Sequence, residues 1–190
     1  MPGHTEHIAR KHFDAPDEQR RSFEKGKIAV GPDNAVAVLD AQTHQVLATI
    51  SVGRSPAALW ASPDGREIWV ANSGEDTLSI IDSASAKTVG TVQVGARPSH
   101  PMFTADGRLV YVPVASENVV AVIDAARRAI IAKVLVGASP HSIWLTPDDR
   151  LAYITNDAGN SVSVLDTATL TVAATIPVGQ KPIGIVGARF

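Results

Sequence analysis

The stretch RPSHPMFTADGRLVYVPVASENVVAVIDAARRAIIAKVLVG, Arg97–Gly137, decides the fold. It holds four short runs, three of them rich in Val, Ile and Leu and the first carrying Met102-Phe103. One follows Pro98, one follows Asp106-Gly107, one ends at Asp124 and one ends at Val136-Gly137. Side chains of this kind favour strands, and the turn clusters between the runs leave no room for a helix of useful length. Four strands in a unit of this size make a β-propeller blade.

Working outward, the unit recurs. Asp40, Asp82, Asp124 and Asp166 stand 42 residues apart, as do Gly53, Gly95, Gly137 and Gly179. Pro56, Pro98, Pro140 and Pro182 keep the same step, and so do Asp64, Asp106 and Asp148. Four series in phase without an insertion exclude coincidence. The expected fold is therefore an all-β propeller of four-stranded blades, occupying residues 27–190. The periodic region opens on the second strand of a unit and runs through strand four at residue 52. Full blades then begin near 56, 98 and 140, and 182–190 supplies a first strand alone. The terminal strands would share one blade, which leaves no open sheet edge at the seam. Closure is open at this point: a four-blade monomer, an eight-blade homodimer by terminal strand exchange, or part of a longer propeller. Trp60, Met102, Phe103 and Trp144 on the inner strands are bulky for a very tight ring and favour the dimer.

Composition excludes several chemistries. With no Cys among its 190 residues, the chain has no disulfide, thiolate zinc site, Fe–S cluster or Cys nucleophile. A net charge of −2 gives no bulk attraction to nucleic acid or anionic lipid, so neither is expected as a partner. The richest apolar run, Ala129–Ala138, is short for a membrane span and holds Lys133. Residues 1–26 lie outside the period, carry mixed charge and allow a short helix from Asp14-Ala15-Pro16. His4, His7 and His12 there read as part of a tail. The segment HFDAPDEQRRSFEKGK resembles the leader of small cupin-type proteins, but no cupin metal motif follows. The start lacks the apolar stretch of a signal peptide. The expected location is cytoplasmic for the sequence as written, and periplasmic or extracellular if the true start lies upstream.

The segments IWVANSGEDTLSIIDSASAKTVGTVQVGARP (Ile68–Pro98) and AYITNDAGNSVSVLDTATLTVAATIPVGQKP (Ala152–Pro182) resemble the YVTN β-propeller repeat family. YITN is one letter from the eponymous motif, and the resemblance spans Lys27–Phe190. It implies WD40-like blades of bacterial or archaeal type. Related propellers include surface-layer and binding proteins, haem d1 domains of nitrite reductases and lactonase-like enzymes. Members typically carry more blades and are often exported, and this sequence departs from the pattern on both counts. Fold analogy does not choose among these functions.

Residues present in every copy build the blade. The repeating Asp residues suit acceptance of turn amides, and the Asp-Gly pairs suit a turn at positive φ, with Asp148-Asp149 as the variant. Candidate site residues are those that differ between copies where loops meet the channel. The segments GRSPAALW, GARPSHPMF, GASPHSIW and GQKPIGIV contribute Arg54, Arg97, Lys181, His100, His141, Trp60 and Trp144, with Ser55, Ser99 and Ser139 beside them. Three cations and two histidines, with no carboxylate in those loops, predict a basic channel mouth for a small anionic ligand or a protein partner. His100 and His141 sit two and one residues after their prolines. On extended strands that offset points them in opposite directions, so no shared metal is expected, and no cofactor. No phosphate-binding glycine loop, nucleophile elbow or HExxH helix occurs. The sequence reads as a non-enzymatic binding or scaffolding propeller. The alternative is a propeller enzyme, a lactonase-like hydrolase or a haem d1-type redox domain, using the channel histidines.

Overall fold

A computed structural model describes residues 25–30 and 33–187 of the chain. The N-terminal segment expected to form a tail, with its helix and its three histidines, lies almost wholly outside the described residues. Among the described residues there are fifteen strands and no helix. Blade I comprises β1 (Lys25–Val30), β2 (Ala35–Asp40) and β3 (Val46–Ser51). Blade II comprises β4 (Pro56–Ala61), β5 (Glu67–Asn72), β6 (Thr77–Asp82) and β7 (Lys87–Gln93). Blade III comprises β8 (Met102–Phe103), β9 (Leu109–Val114), β10 (Val119–Asp124) and β11 (Ala129–Leu135). Blade IV comprises β12 (Pro140–Leu145), β13 (Leu151–Asn156), β14 (Ser161–Asp166) and β15 (Thr171–Pro177). Each sheet is antiparallel and keeps chain order, so the all-β propeller read from the period is the fold. Residues 182–187 carry no strand.

Strand alternation sends side chains of each middle strand to two different neighbours. Three core clusters follow, one at each junction. Val36, Val38 and Ile50 of blade I meet Ile68, Val70 and Ile81 of blade II. Trp69, Leu78 and Ile80 of blade II meet Val110, Val112 and Ile123 of blade III. Tyr111, Val120 and Val122 of blade III meet Ala152, Ile154 and Leu165 of blade IV. Every blade therefore has a face toward its predecessor and a face toward its successor. Each fully buried Ile, Leu or Val contributes about 1.5–3 kcal/mol, which makes the junctions the main source of stability. Trp69 meets Phe103 edge-on across its junction, with ring centroids 5.5 Å apart.

The loops follow the same period. Asn34, Asp76, Asn118 and Asn160 adopt positive φ, and so do Ser55, Arg97, Ser139 and Lys181. The first set holds the second. The Oδ1 of each Asn or Asp accepts the backbone N–H found 21 residues later, at 3.0, 3.2, 2.9 and 3.0 Å. Each crossover between blades is thus tied to the turn between the second and third strands of the blade it leaves. At the other end, Asp40 accepts the amides of Gln42 and Thr43, and Asp82 that of Ser85. Asp124 accepts the amide of Arg127, and Asp166 those of Ala168 and Thr169.

Candidate functional site

The crossovers and the turns between second and third strands lie at one end of the blades. Ser73 donates its amide to the Ser55 carbonyl at 3.0 Å, and Gly74 donates to the Arg54 carbonyl at the same distance. The crossover loops hold no carboxylate, as read from the sequence, but the neighbouring turns do. Those turns bring Glu75, Asp76 and Glu117 beside the cations, although none belongs to a crossover. Arg54 Nε stands 3.3 Å from Glu75 Oε1. Lys133 Nζ donates to Glu117 at 2.6 Å and the Ala96 amide at 3.1 Å, and these bonds hold the Glu117 carboxyl below the usual range. Gly95, at φ 121°, makes room for Glu117: a Cβ there would lie 2.1 Å from Oε1. Two cations stand apart from these pairs. Arg97 and Lys181 are exposed, and neither joins an ion pair among the described residues.

The histidines are brought together. The rings of His100 and His141 lie 5.3 Å apart between centroids, tilted by 58°. The count along an ideal strand fails because Pro101 breaks the first strand of blade III. Proline has no N–H to give the ladder. Pro98 keeps only an isolated bridge to Val114, and regular pairing resumes at Met102. In blade IV the register shifts between Pro140 and Ile143. His141 Nδ1 lies 2.9 Å from the Ile183 carbonyl, so in the neutral ring Nδ1 carries the proton and Nε2 keeps its lone pair. His100 Nδ1 lies 3.4 Å from the His141 carbonyl, which also accepts the Ser99 hydroxyl.

The two tryptophans serve the blade faces. Trp60 pairs in register with Trp69 and packs against the core between blades II and III. Trp144 lies 5.8 Å from Tyr153 in blade IV. An open cleft of about 460 Å³ lies at the opposite end, lined by Ser62, Pro63, Asp64, Ala105, Asp106 and Gly107. Its carboxylates are already engaged. Asp64 accepts the Ser62 hydroxyl and the Arg66 amide, and Asp106 accepts those of Thr104 and Arg108. Among the described residues no group of three or more His, Asp or Glu could hold a metal ion.

Residues 70–185, more than half of the chain, match the Cytochrome D1 heme domain family. The chain belongs to that family. Solved structures similar to this D1-family chain include Kuenenia stuttgartiensis hydrazine synthase, at TM-score 0.79 and 24% identity, covering 82% of this chain and 46% of that one. A functionally unknown protein from Desulfotomaculum acetoxidans DSM 771 superposes at TM-score 0.72 and 17% identity, covering 82% of this chain and 53% of its own. At such identities the likeness is one of fold. The chain spans about half the length of these structures. No curated protein matches it.

The D1 family name implies a haem. An imidazole with Nδ1 held by a carbonyl, as in His141, suits axial ligation. Enclosure is a different matter. The cleft of about 460 Å³ holds no histidine and no cation, and it lies at the end away from His100 and His141. That cleft does not fit a haem held by either histidine.

Proposed function

We propose that this D1-family chain, built of YVTN-type blades, is a binding domain whose channel mouth takes a small anionic ligand. The observation that carries the reading is the unpaired state of Arg97 and Lys181 at the end where His100 and His141 meet. Arg97 offers a planar donor fork for carboxylate or phosphate, and Lys181 a mobile point charge. Arg54 contributes less, because Glu75 already neutralises it. A non-enzymatic role is favoured by Ser99: its hydroxyl donates to the His141 carbonyl and not to a ring nitrogen, so no base activates it. Titration with inorganic phosphate, sulfate and citrate, followed by calorimetry and thermal shift, tests the reading. Binding is expected to drop roughly tenfold or more in Arg97→Ala/Lys181→Ala and to change little in Arg54→Ala. A flat response to all three anions ends it.

A second reading, a haem-type redox domain in which His141 meets a haem at the channel mouth, is favoured by the family match and by the anchored His141 ring. Addition of haem should then give a Soret shift that His141→Ala abolishes. An unshifted spectrum removes this reading.

A further inference from the structure

The blades alternate in kind. In the third strands, AVAVLD and VVAVID of blades I and III stand against TLSIID and SVSVLD of blades II and IV. The last residue of the second strand follows suit, with Val30 and Val114 against Asn72 and Asn156. The successor face of blade II therefore always meets a blade of the other kind.

Two faces are left over. On the successor face of blade IV, Ile176 is 45% exposed and Val178 40%, whereas Val92 and Val94 of blade II are 4% and 1% exposed. On the predecessor face of blade I, Ala37 and Leu39 are half-buried, whereas Ala121 and Ile123 of blade III are fully buried. Ala37 and Leu39 hold the register of Ala121 and Ile123, and Val30 that of Val114. Blade I is thus the kind that follows blade IV, as blade III follows blade II. Among the described residues it has three strands, and β1 is the edge of its sheet. Residues 182–187 stand in the period where a blade's first strand belongs.

Blades I and IV of one chain share no core cluster, and 182–187 pairs with no described strand. The arc superposes on a part of a solved chain at TM-score 0.79. From this we infer that the successor face of blade IV docks on the predecessor face of blade I in a second copy, and reciprocally. Residues 182–187 then add to the edge of the partner copy's first blade. The occupant is a second copy because its blade I offers the matching face, the matching kind and, among the described residues, an edge strand at β1 together. The two-fold arrangement closes eight blades and buries both apolar faces.

The full chain at micromolar concentration tests this in light scattering. The expected mass is about 40 kDa, twice 19.9 kDa, and a mass of about 20 kDa overturns the inference. Ile176→Asp should return the mass to one chain while circular dichroism keeps its strand signal. A variant that folds and stays at two chains overturns the assignment of the face. Because the chain has no Cys, a disulfide pair reports unambiguously. Lys27→Cys with Val186→Cys occupies the positions equivalent to Tyr111 and Met102. Oxidation should give a covalent dimer; a bond within one chain, or none, overturns the proposal. Anion binding plays no part in these readouts, so they succeed or fail apart from the proposed function.

Discussion

Blades II and III share one backbone and differ inside. In blade II, Asn72 Nδ2 donates to Thr77 Oγ1 at 3.0 Å and to Ser79 Oγ at 2.9 Å, all within a fully packed sheet. Blade IV repeats the motif with Asn156, Ser161 and Ser163. Blade III has Val114, Val119 and Ala121 at those positions and is just as well buried along β9 and β10. The polar spine leaves the Oδ1 of Asn72 and of Asn156 without a protein partner. Such groups cost free energy that the two donated bonds only partly offset. The difference teaches that the polar motif is one of two interior solutions to the same blade. Its presence in alternate blades marks blade kind and does not mark a ligand site.

The contrast can be broken at four points, in falling order of effect. Trp69→Ala, which empties the junction between blades II and III, should destabilise the protein by about 3–5 kcal/mol in urea denaturation. A cost below about 1 kcal/mol would mean that the junction is not the main store of stability. Val114→Asn puts the amide of blade II into blade III without hydroxyls to receive it, and should cost about 1–3 kcal/mol in the same assay. By contrast, Asn72→Val with Thr77→Val and Ser79→Ala gives blade II the interior of blade III. The stability should then fall by no more than about 1 kcal/mol, because both partners of each Asn72 bond leave together and only the Gly53 amide, 3.2 Å from Ser79 Oγ, loses its acceptor. The smallest effect is on pH dependence. The Arg108 amide and the Thr104 hydroxyl hold the Asp106 carboxyl of blade III below its ordinary range. The stability it contributes is full above the unfolded value near 4 and is lost as pH falls through the lower folded value. Asp106→Asn should flatten the acid limb of an unfolding-versus-pH curve. Blade IV runs the other way at Asp149, whose carboxyl is raised, first by burial, and whose contribution is full below the unfolded value near 4 and fades as pH rises through the higher folded value.

Much of this was legible in the chain itself. The phase of Asp40, Asp82, Asp124 and Asp166 located each sheet, since a turn that consumes a carboxylate must recur wherever the turn does. The site was less legible, for two physical reasons. Glu75 and Glu117 reach the mouth from turns some twenty residues away from the crossovers they adjoin, a proximity that only the antiparallel return of the chain creates. The meeting of His100 and His141 depends on Pro101, whose missing N–H breaks the strict alternation that reading by offset assumes. The positive φ at Arg97 and Lys181 gave no sign either, because the residues that signal it are Asp76 and Asn160, 21 positions earlier.

That last arrangement separates architecture from chemistry. Positions 55, 97, 139 and 181 share one conformation while carrying Ser, Arg, Ser and Lys. The backbone there is held by a neighbour's Asn or Asp, so the side chain itself owes nothing to the fold. These four places act as interchangeable fittings around one rim. Selectivity at the mouth can be rewritten there one position at a time, and a library of unbranched, non-proline side chains at the four should change what is bound while its members still fold.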